Sequence, residues 1–187
     1  MSAAREPIEP DLRMTRDEYQ AWLAGRPGRY ERVHGAVVSM APERSEHALA
    51  EGKVRDALRQ AIRAAGLPCT AYPDGMTVQI GDSDFEPDAI VRCGDPLPGT
   101  ETTVPDPLII VEVLSPSTSA NDRRFKFGEY FRLPSVRHYL IIWPDRPKVA
   151  HHRRGDDGDV RTEVFTEGPI RLGPPGITFQ LEDIYAA

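Results

Sequence analysis

The chain is 187 residues long with a mass of 20.8 kDa, the size of one ordinary domain with enough material for a core. Lys and Arg number 23 against 29 Asp and Glu, a formal net charge of −6, which excludes a grip on nucleic acid by bulk positive charge but leaves room for a local basic groove. A hydrophobic content of 40% and a charged content of 28% fit a folded globular chain and exclude long disorder, and no apolar run approaches the roughly 18 residues of a membrane helix.

Residues 1–14 read as a loose polar arm without the apolar stretch of a secretory signal, and residues 15–187 as one domain. Thr15 and Glu18 have capping-box spacing, and Tyr19, Trp22 and Leu23 make an apolar stripe, so a helix starts at Thr15 and stops at Gly25 and Pro27. Arg29 to Met40 predicts a hairpin turning at His34-Gly35. Ser45 to Ala65 predicts a longer helix, with Ala50, Val54, Ala57, Leu58, Ala61, Ile62 and Ala65 on one face. Gly66 ends it and Pro68 prevents resumption. Met76 to Ile80 and Asp88 to Val91 read as short strands, the second directly after Pro87. A loop rich in Gly and Pro then runs from Gly94 to Pro107. Leu108 to Leu114 reads as a central buried strand, broken by Ser115-Pro116. Ser119 to Leu133 predicts a helix with Ser119 or Asn121 as N-cap and Asp122 in its first turn. Val136 to Trp143 is another strong strand. Lys148 to Arg153 and Val160 to Thr166 form an outer antiparallel pair around Gly155 to Gly158, and Ile177 to Phe179 precedes a short helix near Leu181 to Tyr185. Strands and helices interleave irregularly, so the expected class is α/β or α+β, a sheet with helices on its faces. Cys69 and Cys93 are too few for a disulfide scaffold or a Cys-rich zinc site and are expected as reduced thiols of a cytoplasmic protein.

Glu112 is the most informative residue, because it interrupts the apolar strand Leu108 to Leu114. A buried ionised carboxylate costs several kcal/mol unless it is paired or bound to a cation. An ion pair with a nearby Arg or Lys, or an edge position facing solvent, would also satisfy it. Asp88, at the start of its strand after Pro87, is the natural second carboxylate, although most Pro-Asp pairs are plain turns. If the two strands pair, both carboxylates converge, and two hard oxygen donors suit Mg²⁺ or Mn²⁺. Asp122, Lys126 and Tyr130 share one helix face at four-residue spacing, with Phe127 and Phe131 as an apolar anchor. Lys126 could orient an attacking water or neutralise phosphate charge, or could simply pair with Asp122 on the helix surface.

These segments occur in one order: Arg29 to Gly35, His47, Glu86-Pro87-Asp88, Leu108 through Thr118, Asp122 with Lys126 and Tyr130, and Val136 to Trp143. In that combination the chain resembles the Uma2 family of restriction-endonuclease-like proteins, in the PD-(D/E)XK nuclease superfamily, over roughly Met14 to Ile184. The resemblance implies a restriction-endonuclease-like fold, a mixed central β-sheet flanked by helices. It implies that Asp88 and Glu112 hold the metal, with the backbone carbonyl of Val113 as a further ligand. The wider superfamily carries its lysine two residues after the acid, where this chain has Leu114. Lys126 looks like the migrated lysine that Uma2-like proteins carry on the next helix, and Glu31 like the accessory acid of the first motif.

Among weaker candidates, His151-His152 with Arg153-Arg154 reads as an exposed basic stretch, because adjacent strand residues point to opposite faces. His47 reads as a cap or a group behind the ligands, and Arg123 and Arg124 as an exposed charged face able to touch phosphate. The reading is a Mg²⁺-dependent (or Mn²⁺-dependent) DNA endonuclease of the cytoplasm, as the resemblance implies. Products would carry 5′-phosphate and 3′-hydroxyl ends, with Asp88, Glu112, Lys126 and Glu31 as catalytic residues. DNA would meet Arg123, Arg124, Arg132 and Arg137 or the groove of a homodimer. The alternatives are a non-catalytic binding or scaffold protein on the same fold, and a metal-dependent hydrolase of another phosphate substrate.

Overall fold

Local chemistry sets the first helix, α1 (Arg16–Leu23). Thr15 Oγ1 accepts from the Glu18 N–H at 3.3 Å, and Glu18 returns a carboxylate oxygen to the Thr15 N–H at 2.8 Å. The structure, a computed structural model, describes Ile8 and residues 12–115 and 120–185, with the backbone alone for 120–122. The expected N-caps Ser119 and Asn121, the side chain of Asp122 and the stretch from Pro116 to Thr118 lie outside the described residues. Of the stretch read as a loose arm, the Ile8 and Met14 N–H groups donate to the carbonyls of Val37 and Gly35.

Strands β1 (Tyr30–Val33) and β2 (Ala36–Ser39) form the hairpin, turning through His34 (φ 49°) and Gly35 (φ 79°). Positive φ at both central residues is the two-residue turn whose twist matches paired strands. Helix α2 (Ser45–Ala65) buries its predicted stripe and ends on Gly66 in the left-handed conformation (φ 63°). The N-cap of α2 is Arg44, so His47 is not a cap.

Strands β3 (Cys69–Pro73), β4 (Val78–Ile80), β5 (Ser83–Phe85), β6 (Ala89–Cys93) and β7 (Ile109–Val113) follow. Helix α3 (Ala120–Tyr130) crosses over to β8 (His138–Ile142). Then come β9 (Val149–Arg154), β10 (Val160–Phe165), β11 (Pro169–Leu172), β12 (Ile177–Gln180) and α4 (Glu182–Tyr185). A six-stranded sheet has the order β10-β9-β8-β7-β6-β3, a four-stranded sheet the order β2-β1-β5-β4, and β11 pairs with β12. In the large sheet β7 and β8 are parallel and every other pair is antiparallel. The expected class, a mixed central sheet flanked by helices, is the fold observed.

Alternation along β7 divides the core. Ile109, Val111 and Val113 face α2, with Val54, Leu58 and Val91. Ile110 faces the other way, with Ile90, Phe85, Tyr130 and Tyr139. Each buried Val, Ile or Leu contributes about 1.5–3 kcal/mol, so β7 is held from both sides. Glu112 therefore points to the Ile110 face, beneath α3.

Two expectations are corrected. Cys69 and Cys93 are not free thiols: they stand opposite each other on β3 and β6 and form a disulfide. Antiparallel pairing of strands separated by 24 residues creates that proximity, which no local pattern shows. His151 is not part of an exposed stretch. It is buried, with its ring Nε2 2.8 Å from Nδ1 of His138 on β8, while His152, on the opposite face, lies against Phe127 and Tyr139. Among the described residues no helix is long and apolar enough to cross a membrane.

Candidate functional site

The β6–β7 register pairs Ala89 with Val111 and Ile90 with Ile110, which brings Asp88, the residue before β6, to the Val111–Val113 end of β7. There the ladder slips by one residue, and the Asp88 N–H donates to the Val111 carbonyl at 3.1 Å. Alternation turns Glu112 to the Ile110 face, while Asp88 reaches the end of β7 beside His47 of α2. The convergence anticipated from two separate strands thus follows from their antiparallel pairing and the slip at its end.

Asp88 is buried, and its Oδ2 accepts from the Val113 N–H at 2.5 Å. Burial, then the charge of Glu112, then Glu51, push its carboxyl well above the ordinary aspartate range. Glu112 does not face bulk solvent. Its Oε1 accepts from Lys126 Nζ at 2.9 Å and from the Tyr130 hydroxyl at 2.6 Å. Lys126 and Tyr130 reach the same oxygen because they lie one turn apart on α3. Lys126 is buried, so a helix-surface pairing does not describe it. Its Nζ also donates to Glu31 Oε1 at 3.0 Å, and that oxygen accepts the Glu86 N–H at 3.1 Å. The structure thus brings Asp88, Glu112, Lys126 and Glu31 into one connected network.

Helix α2 completes the site. The carbonyl of Val113 can only accept, so His47 Nε2, 2.9 Å away, carries a proton and donates to it. His47 Nδ1 lies 3.3 Å from Glu51 Oε1, and its Nε2 lies 3.7 Å from Asp88 Oδ2. Burial lowers the His47 pKa, but Glu51 and the Val113 carbonyl outweigh it and the net shift is upward. Glu43, His47 and Glu51 bring potential ligand atoms within 4.8 Å of one another. Arg29 binds Glu43, Asp74 and Glu86 at the rim of the site.

A cavity of about 230 Å³ opens over Asp88, Glu112 and Val113, walled by Glu43, His47 and Glu86. Arg44 lines it as well, whereas Lys126 and Glu31 stand behind Glu112 rather than in the wall. Of the anticipated basic residues, Arg132 pairs with Glu129 and Arg137 with Asp156.

Glu51 escaped the sequence reading, although a signal exists. Positions 47, 51, 54 and 58 continue the apolar stripe of α2 at four- and three-residue steps, so Glu51 occupies a core position much as Glu112 does. The donor chemistry fits a divalent cation. Asp88, Glu112 and Glu51 are three carboxylates close together, two of them buried, and the one lysine among them sits on the far side of Glu112. Glu51 Oε1 and His47 Nδ1 lack a well-formed hydrogen bond despite burial.

The chain is similar to two proteins from Synechocystis sp. (strain ATCC 27184 / PCC 6803 / Kazusa). "Uncharacterized protein slr1290" is 27% identical over 195 residues, spanning 97% of this chain and 96% of that one. "Uncharacterized protein sll1609" is 34% identical over 101 residues, 51% of this chain and 57% of that one. Among solved structures, a crystal structure described as "a putative nuclease belonging to DUF820", from Anabaena variabilis ATCC 29413, superposes with a TM-score of 0.73. It covers 92% of this chain and 98% of its own at 17% identity, which establishes a shared fold. The model of the Uma2 family, described as "Putative restriction endonuclease", matches residues 16–184, and the chain belongs to that family.

Proposed function

We propose that this protein is a divalent-metal-dependent DNA endonuclease that hydrolyses phosphodiester bonds, using Mg²⁺ with Mn²⁺ as a substitute. The observation that carries the reading is the meeting of Asp88 and Glu112 in the lining of one cavity, with Lys126 Nζ 2.9 Å from Glu112. Membership of a family described as restriction endonucleases and the fold shared with a protein described as a nuclease support it.

Asp88 and Glu112 hold the cation, and Glu51 adds negative charge beside them. When bound, the cation supplies Lewis acidity and a water made acidic enough to attack phosphorus. Val113 lines the same cavity, and its carbonyl has one lone pair engaged by His47 and a second available. His47 therefore orients that carbonyl and Glu51 rather than serving as a ligand through Nε2. Tyr130 fixes Glu112 by its Oε1. Lys126, shared by Glu112 and Glu31 behind the cavity wall, fixes those carboxylates and lends its positive charge to the site through Glu112.

One observation favours a second reading, a non-catalytic nuclease-fold binding protein: Lys126 already compensates Glu112 and Glu31 without a metal. Incubation with supercoiled plasmid and Mg²⁺ or Mn²⁺ separates the two. Nicking that yields 5′-phosphate ends and disappears in folded Asp88→Asn and Glu112→Gln supports the nuclease. Intact DNA in every form, with no calorimetric uptake of either cation, supports the binding protein. Cleavage of RNA or nucleotides but never DNA would point to a hydrolase of another phosphate substrate.

A further inference from the structure

Strand β10 is the outer strand of the six-stranded sheet. Hydrogen-bond parity fixes which of its groups face outward. The Gly155 N–H donates to the Asp159 carbonyl, and the Arg154 N–H donates to Arg137 on the β8 side. The β9–β10 register therefore makes Arg153–Arg161, His151–Glu163 and Val149–Phe165 the bonded pairs. The N–H and C=O groups of Val160, Thr162 and Val164 point to the open edge. Val164 is 58% exposed, an apolar side chain on a strand that among the described residues has no outer neighbour.

A second copy pairing antiparallel about a two-fold axis normal to the sheet keeps the faces of both strands. Each residue can then oppose only a residue of its own parity. The register centred on Thr162 sets Arg161 against Glu163 of the second copy, and Glu163 against its Arg161. On the other face it sets Val160 against Val164 and Thr162 against itself. Centring one residue earlier opposes two arginines, and one residue later opposes two glutamates. Opposite charges and β-branched pairs directly across a ladder stabilise it, while like charges oppose it. The segment Val-Arg-Thr-Glu-Val is therefore self-complementary in one register and self-repelling in the neighbouring two.

We propose that β10 is a homodimer interface, in which two copies join their six-stranded sheets edge to edge with Thr162 on the two-fold axis. Arg161 already pairs with Asp157 of its own hairpin at 2.8 Å, and its forked guanidinium has donors left for Glu163 of the second copy. One strand edge is a small contact, so the dimer is weak and exchanges rapidly. This inference rests on the sheet topology and stands whether or not the protein cleaves DNA.

Sedimentation equilibrium tests it with the full chain over a wide concentration range, with circular dichroism as the check on folding. The wild type should approach twice 20.8 kDa as concentration rises. Arg161→Glu or Glu163→Arg alone should weaken association by about tenfold or more, and the two together should restore it. Under mild oxidation Thr162→Cys should cross-link to its own copy, and Glu163→Cys should not. A chain that stays monomeric throughout, a dimer indifferent to single charge reversal, or a double variant that fails to recover overturns the interface. Cross-linking through position 163 instead of 162 overturns the register.

Discussion

At Asp88, burial and two neighbouring carboxylates make the folded state hold its proton more tightly than the unfolded chain does. A raised carboxyl pKa favours the fold at low pH and costs stability as pH rises through the folded value. Asp88→Asn should therefore be more stable than the wild type near pH 8, with the difference closing toward about pH 4, as urea unfolding at several pH values would show. Added Mg²⁺ should raise the wild-type midpoint and leave the variant unmoved. Tyr130 has the opposite role. Its buried hydroxyl bonds Glu112 Oε1 at 2.6 Å, and Tyr130→Phe should cost about 1–2 kcal/mol in denaturant unfolding and slow any nicking, since Glu112 keeps Lys126 but loses its second anchor. Glu112 was legible because a carboxylate in a greasy strand demands compensation. Glu51 was legible in principle by the same argument on α2. That Lys126 serves Glu112 and Glu31 together was not, because β1, β7 and α3 meet only in space.

At the scale of elements, the hairpin β1–β2 carries Glu31 into the site, and its turn depends on Gly35 at φ 79°. A Cβ there would adopt a left-handed conformation and lie 3.3 Å from Arg13 Cδ and 3.4 Å from the Met14 carbonyl. Gly35→Ala should cost about 1–2 kcal/mol, measured as a lowered thermal midpoint, with Lys126 losing part of its anchorage if the hairpin shifts. Helices α1 and α2, the hairpin, β7 and β8 were readable because capping residues, turn residues and apolar periodicity are local. Strands β3, β5 and β11 were not. Each is three to five residues long and owes its extended form to a partner strand rather than to its own pattern.

Across the whole molecule, β8 and β9 bury a pair of histidines under the β11–β12 hairpin. The ring nitrogens of His138 and His151 are 2.8 Å apart, and the other nitrogen of His138 lies 2.7 Å from the Pro174 carbonyl. Burial pulls His138 down to about 4 and His151 to about 3, against 6.5 for a free imidazole. A depressed histidine pKa means that the unfolded chain takes up protons first. Acidification from about pH 6.5 to about pH 4 should therefore remove stability, by about 3 kcal/mol for one excluded proton. Unfolding midpoints at pH 7, 6, 5 and 4 (roughly spanning that window) would show the decline, and His151→Gln should flatten it. The decline runs against the acid-side gain expected from Asp88, so the variant comparison isolates the histidines.

The amino-acid order alone determined the main helices, the central strand and the suspicion that a buried acid awaits a cation, because propensity, capping and periodicity act over a few residues. Only the tertiary structure decided that Asp88 and Glu112 share one cavity, that Glu51 and His47 join them, that the cysteines meet, and that β10 is left at the rim. Those facts depend on strand order and register, which join residues dozens of positions apart.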